Sequence, residues 1–402
     1  AKRQKCAAGE KAVTWDQSGI NWKGAWAKAT GYLAHDAVSY LGSSYLAVRA
    51  STGIVPAGHT AVWAVLAQAG QRGATGPTGT PGRTLLPGQV TLGVGLPDVL
   101  SATGDKIGDP DAVAFDGTDL WIANTSTNSV TEVKASDGSL VRVLSGGGYG
   151  FSRPAAIAFD GTHVWIANVL GNSVTEVKAS NGSLVRVLSN SSNSGFQFNK
   201  PDAIGFDGTD LWIANDVPAP TSVTEVKASN GSLVRVLSAA SYGFNEPDAF
   251  AFNGSQMWIA NRNGNSVTEV KVLDGSLVQV LSDPGFQFDQ PDALAFDGLN
   301  LWVANFAGAS ITEVDLDNGD AHVLSAASYG FSGPDAIAFD GNHMWVANRI
   351  ANSVTEVNAG DDSLAAILSG GSYGFFHPDA IAFDGSHVWI ANLMATVTAV
   401  TG

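Results

Sequence analysis

The chain has 402 residues, 45% of them hydrophobic, and a formal net charge of −16. That length is ample for a sizeable core in more than one domain, and the acidic balance argues against nucleic acid, which needs a basic footprint. Only 14% of residues are charged, while glycine reaches 47 and tryptophan 11, a composition of β-rich rather than helical proteins.

The charge is unevenly placed. Residues 1–84 carry nine Lys and Arg against three Asp and Glu, a net of +6, whereas the remainder carries 12 against 34, a net of −22. Cys6 is the single cysteine, so it is either a free thiol or an intermolecular link. The opening AKRQKCAAGE is basic but has no apolar stretch after it, unlike a signal peptide. A secreted or cell-surface location is expected, with any leader already removed. No apolar run is long enough for a membrane span.

Residues 1–66 alternate short aromatic-containing runs with Gly, Ser and Thr, as in NWKGAWAKATGYLAHDAVSYLGSSYLAV, and read as a small β module. Trp26, Tyr45 and Trp63 are expected to fill its core, since so small a domain cannot spare them. Residues Ala25, Trp26, Tyr32, Asp36, Val38, Tyr40, Gly42, Tyr45, Ala47, Pro56 and Trp63 make this segment similar to the small chitin-binding modules attached to secreted chitinases. That resemblance implies glycan binding through exposed aromatic rings. In the family an aromatic pair follows the "YxA" strand; here Arg49 and Ala50 stand there, which leaves Trp22 and Tyr40 as candidate stacking residues.

Residues 67–96 form a linker. Gly70, Gly73, Gly76, Gly79 and Gly82 recur at every third position, with Pro77 and Pro81 between them. Only glycine fits the axis of a collagen triple helix, so the spacing points to trimerisation; an extended linker without partners is the plainer alternative.

Residues 97–402 are repetitive. Trp121, Trp165, Trp212, Trp258, Trp302, Trp345 and Trp389 recur at spacings of 43 to 47 residues. One unit, PAAIAFDGTHVWIANVLGNSVTEVKASNGSLVRVLS from Pro154, holds four strand-like runs. Asp160-Gly161 separates the first two and Asn181-Gly182 the last two, both suited to tight hairpins. Four antiparallel strands at this period predict a propeller blade; solenoid coils are shorter and need unlike caps. The chain ends in ATVTAVTG, a third strand with no fourth, and LPDVLS before the first repeat matches a fourth strand. The two termini are therefore predicted to complete one blade and close a seven-bladed ring, hiding two sheet edges. The fold class is all-β: a seven-bladed β-propeller with an N-terminal small β module and a Gly-X-Y linker. The phrasing "AFDG…LWIAN…NSVTEV" resembles propellers built from NHL-like and YVTN-like repeats, a group that includes enzymes, ligand binders and scaffolds.

Within the repeat, the tryptophans are expected to pack sheet on sheet. Asn124, Asn168, Asn215, Asn261, Asn305, Asn348 and Asn392 end the second strands, where their amides should satisfy backbone groups. Asp111, Asp202, Asp248, Asp292, Asp335 and Asp379 follow the repeat proline in six copies, with Ala155 in the other. First strands line a propeller channel, so this carboxylate ring is the candidate site for a cation at its mouth. Local loop capping is the alternative. No other cofactor is expected. Glu132, Glu176, Glu225, Glu269, Glu313 and Glu356 in the third strands suggest structural pairing with lysines such as Lys134.

His163, His343 and His387 share a position just after a hairpin turn, and His377 is taken as the only histidine of the repeat region off it. Streptogramin lyases are propellers of similar blade count that use a His and a Glu, and no such pair is expected outside the repeat pattern here. No nucleophile elbow or phosphate loop occurs, so catalysis is not expected. The charge division and the glycine triplets favour an extracellular structural protein that self-assembles into an oligomer or fibre. A polysaccharide-binding adhesin and a propeller lyase or hydrolase are the alternatives.

Overall fold

A computed structural model describes residues 21–40, 43–56, 60–67, 98–101, 107–190, 194–216, 221–325 and 327–401. The chain divides into two compact units, Ala1–Thr91 and Leu92–Gly402. Cys6 and the glycine triplets between Gly70 and Gly82 lie outside the described residues. Among the described residues no helix is long and apolar enough to cross a membrane.

In the first unit, Asn21–Ala25, Asp36–Tyr40, Ser43–Ala47 and Trp63–Ala67 form one sheet in that order, beside a ribbon of Gly31–Tyr32 with Ser51–Thr52. Tyr32, Val38, Ala47, Val62 and Trp63 make its core, with Trp26, Tyr45 and Ile54 packed against them. Trp63 Nε1 donates to the Ile54 carbonyl at 2.9 Å and Tyr32 Oη accepts from the Ala27 N–H at 2.7 Å, whereas Trp26 Nε1 is buried without a hydrogen bond. Asp36 is buried and accepts from Asn21 Nδ2 and the Leu33 N–H. The three aromatics expected in this core are there.

The second unit is a β-propeller of seven four-stranded antiparallel blades. Blade 1 comprises Pro110–Phe115, Asp119–Asn124, Ser129–Lys134 and Leu140–Leu144. Blades 2 to 6 open at Pro154, Pro201, Pro247, Pro291 and Pro334 in the same order. Blade 7 takes Pro378–Phe383, His387–Asn392 and Thr396–Thr401 from the end of the chain and Asp98–Ser101 from before blade 1. Val397 pairs with Leu100 and Thr398 with Val99 in an antiparallel register. The first strands adjoin one another around the ring, including that of blade 7 against that of blade 1. Closure by the two ends is therefore real, and it leaves no open edge at the junction.

Six of the seven turns between first and second strands are tied to the core by one aspartate. Asp116 Oδ1 accepts from the Thr118 and Asp119 N–H groups, and Oδ2 accepts from Trp121 Nε1 at 2.8 Å. The indoles are buried against the next blade: Trp121, Val130 and Leu144 pack on Val164, Ile166 and Val177. Burying an aromatic of this size is worth roughly 4–6 kcal/mol at most, so the seven tryptophans are the main inter-blade adhesive. Blade 4 departs from the pattern. Asn253 replaces the aspartate, its Oδ1 serves the turn, and Trp258 Nε1 is buried without a hydrogen bond.

Six of the seven second-strand asparagines accept a loop N–H through Oδ1, as expected, whereas Asn261 Oδ1 is buried without a partner. Asn168 Nδ2 donates to Thr175 Oγ1 at 3.0 Å, and that hydroxyl donates to the Tyr149 carbonyl at 2.8 Å. Asn, Thr and an inter-blade loop are thus fastened together inside the sheet.

Candidate binding face at the propeller mouth

Each first strand opens with a proline paired to the asparagine that ends the second strand, Pro110 with Asn124 for example. The register slips before Ala112. The intervening residue, Asp111, therefore sits in a bulge, a device that re-aims a side chain. The same slip places Asp202, Asp248, Asp292, Asp335 and Asp379 at equivalent points of the ring.

These carboxylates are engaged in two ways. Arg262 reaches from blade 4 to Asp292 (Nε to Oδ1, 3.2 Å) and to Asp248 (Nη1 to Oδ2, 3.6 Å). Arg349 repeats the arrangement two blades on, with Asp379 at 3.1 Å and Asp335 at 3.5 Å. Arg262 also lies over the Phe306 ring, 5.3 Å from its centroid. Where no arginine stands, Thr125 Oγ1 donates to Asp111 Oδ2 at 2.5 Å.

Burial dominates the titration of the ring. It pushes Asp202 up to about 7, with Asp248 and Asp216 adding to it and Arg153 opposing. It also pushes Asp379 up to about 7, against the pull of Arg349. Burial, then hydrogen bonds with Asp248 and Asp335, drive Asp292 strongly upward. Asp202, Asp292 and Asp379 therefore hold protons more readily than free carboxyls, and two guanidinium groups stand among the ring's carboxylates. Any cation placed there competes with both.

Arg262 and Arg349 belong to a set of residues that sequence reasoning missed. The position after the second-strand asparagine is Thr125, Val169, Asp216, Arg262, Phe306, Arg349 and Leu393 in successive blades. Each of these N–H groups donates to the carbonyl of the residue before the blade's proline: Asp109, Arg153, Lys200, Glu246, Gln290, Gly333 or His377. All seven of those residues have positive φ, between 46° and 59°. Two varied positions, clamped together beside the Asp ring, thus rim an otherwise uniform disc. The signal was present as two variable columns of the repeat: the residue before the proline differs in all seven copies, and the residue after the asparagine takes six identities in seven.

The other candidates resolve differently. His163, His343 and His387 each stand 3.2 to 3.4 Å from the aspartate of their own turn, whose oxygens already accept the turn N–H groups and the indole. His377 stacks on Phe376, and its N–H donates to Asn352 Oδ1. The third-strand glutamates do not rely on lysine. Glu132, Glu176 and Glu225 are buried and meet Arg142, Arg186 and Arg235 across the fourth strand, whereas Lys134 is exposed. A fourth-strand histidine, His322, is also off the turn position and pairs in register with Glu313. The expectation that no His–Glu set breaks the repeat is therefore corrected. Among the described residues, Glu313, His322 and Asp362 form a group whose ligand atoms all lie within 4.8 Å of one another. In the first unit, Trp22 is 56% exposed, while Tyr40 is half-buried with its ring edge-on to Trp26 at 5.4 Å.

No protein-family model matches the chain, and no curated protein sequence does. Solved structures do. Hydrazine synthase of Kuenenia stuttgartiensis is similar with a TM-score of 0.61 at 17% identity, covering 74% of this chain and 96% of that one. Virginiamycin B lyase of Staphylococcus aureus is similar with a TM-score of 0.60 at 17% identity, covering 76% and 99%. A catalytically inactive variant of that lyase, with quinupristin, gives 0.61 at 17% identity over the same shares. Identity this low carries the propeller fold and no activity.

Proposed function

We propose that this chain is a non-enzymatic extracellular surface protein that associates with copies of itself, the basic N-terminal segment of one copy meeting the acidic propeller of another. The observation that carries this reading is the division of charge, +6 over residues 1–84 and −22 over the rest. Opposite charge at the two ends of a chain favours heterologous head-to-tail contact, and such contacts build rings or fibres. The absence of catalysis in this reading is supported by the turn histidines, whose aspartate partners are already engaged in turn and indole hydrogen bonds. Light scattering on the full chain tests it: assemblies should form at low salt and dissociate as salt screens the charges. A monomer at low salt and high concentration would overturn it.

Trp22 favours a second reading, a glycan-binding adhesin, because an exposed indole offers a flat face to a pyranose ring. Retention on insoluble chitin that is lost in Trp22→Ala would support it, and no retention of the full chain on any glycan would remove it. The fold neighbours described as lyases favour a third reading, a lyase or hydrolase using the propeller mouth. Turnover abolished by His377→Ala would establish that reading in place of the first.

A further inference from the structure

The outer rim of the propeller is built alike at three successive blade boundaries. Arg142, Arg186 and Arg235 hold a third-strand glutamate and lie against the glycine in the next blade's last turn: Gly182, Gly231 and Gly275 respectively. A Cβ on those glycines would stand 2.9, 2.8 and 2.6 Å from the arginine, so a side chain there would push the arginine out of its present place. Between blades 5 and 6 both members change. His322 takes the arginine's place, and Asp362, with φ 59°, takes the glycine's. The shorter imidazole leaves room for a side chain opposite it, and that side chain is a carboxylate.

The exchange creates a cluster of mixed chemistry. His322 Nδ1 is 2.5 Å from Asp362 Oδ2, and Glu313 lies beside both. Asp362 is not needed for its turn, because Asp361 Oδ1 accepts there from the Ser363 N–H and hydroxyl. Glu313 is oriented from behind by Asn300 Nδ2, 2.5 Å from Oε1. This separates the cluster from His163, His343 and His387, whose aspartates serve turns and indoles.

We propose that Glu313, His322 and Asp362 form a binding site for one divalent transition-metal ion of the zinc class, fastening blade 5 to blade 6. One imidazole with two carboxylates suits zinc and its neighbours, whereas calcium and magnesium prefer all-oxygen shells. Ligand atoms on one zinc ion lie no more than about 4.4 Å apart, given bonds of about 2.0–2.2 Å. The ligand atoms all lie within 4.8 Å of one another, and His322, whose side chain is 62% exposed, is free to rotate to meet an ion between them. Solvent supplies the remaining ligand, and Asn300 holds Glu313 in the way outer-shell partners usually do. The ion thus replaces the arginine staple that this boundary lacks.

The test uses the full chain, stripped of metal by a chelator and titrated with Zn²⁺ by calorimetry, with thermal unfolding in parallel. One ion per chain should bind here and raise the melting temperature, and Ca²⁺ should do neither. The double variant His322→Arg with Asp362→Gly installs the arginine–glycine pairing of the first three boundaries and should fold. It should lose this ion or bind it at least about 100-fold more weakly, as should the nearly isosteric Asp362→Asn. Zinc bound equally by parent and both variants, no zinc bound by the parent, or calcium matching zinc would each overturn the proposal.

Discussion

Asn253→Asp should stabilise the propeller. Six of the seven repeated tryptophans donate their indole N–H to a turn aspartate at 2.8 Å, and Trp258 alone donates to nothing. A buried donor without a partner costs about 1–3 kcal/mol, and a bond to a carboxylate recovers a similar amount. The turn itself tolerates the change, because the aspartates of the other blades make the same two turn bonds that Asn253 makes. The gain should be about 1–2 kcal/mol after the cost of partly burying the new carboxylate. By thermal unfolding at pH 7 that is a rise of a few degrees. The gain should also depend on pH in a definite sense. Burial pushes Asp340 up, but hydrogen bonds from Trp345, from the His343 and Asn342 N–H groups and from the His343 ring together hold it below the usual range. A carboxyl lowered on folding stabilises above its unfolded value of about 3.9 and loses that contribution as pH falls through its folded value. The advantage of Asn253→Asp should therefore vanish in strong acid. An unchanged or lowered melting temperature at pH 7 would refute the assignment of Asp116 and its equivalents as indole anchors.

Leu100→Ala should destabilise the propeller by about 2–4 kcal/mol, read from denaturant midpoints, since Leu100 is packed with Trp389 and Val397 at the closing blade. Arg262→Ala should cost about 2–3 kcal/mol near neutral pH, discounted because the guanidinium is one-third exposed, and less on acidification, because burial raises the Asp248 carboxyl so that it gives up its charge more readily. Stability of the whole propeller should fall between pH 5 and pH 8. Burial raises Glu132 to about 7 against Arg142, and Glu225 to about 8 against Arg235, with neighbouring aspartates adding to both. Such carboxyls bind more protons folded than unfolded, so their contribution is full at about pH 4 and declines as pH climbs through about 7 and 8. Glu225→Gln should flatten that decline in a melting-temperature profile.

The scaffold was legible because each of its signals repeats. Tryptophan spacing, Asp-Gly turns and the orphan strands at Asp98 and Thr396 all point to one closed ring, and local and global preferences agree. The role of the second-strand asparagines followed from position alone. What was hidden depends on contacts between blades or on changes within the repeat. Arg142 was missed as the partner of Glu132 because a register slip after Glu132 sets which fourth-strand residue faces it. Arg262 and Arg349 were missed because their carboxylate partners include one in the following blade. His322 and Asp362 lie 40 residues apart, and each looks ordinary until their shared boundary is seen. Repetition thus made the disc readable and masked the few columns that differ.

Electron microscopy of the native full-length protein at low salt examines the proposed self-association most directly. Propeller discs joined to one another through their N-terminal segments, falling apart when salt is raised, are the predicted image. Isolated discs at every salt concentration would contradict it.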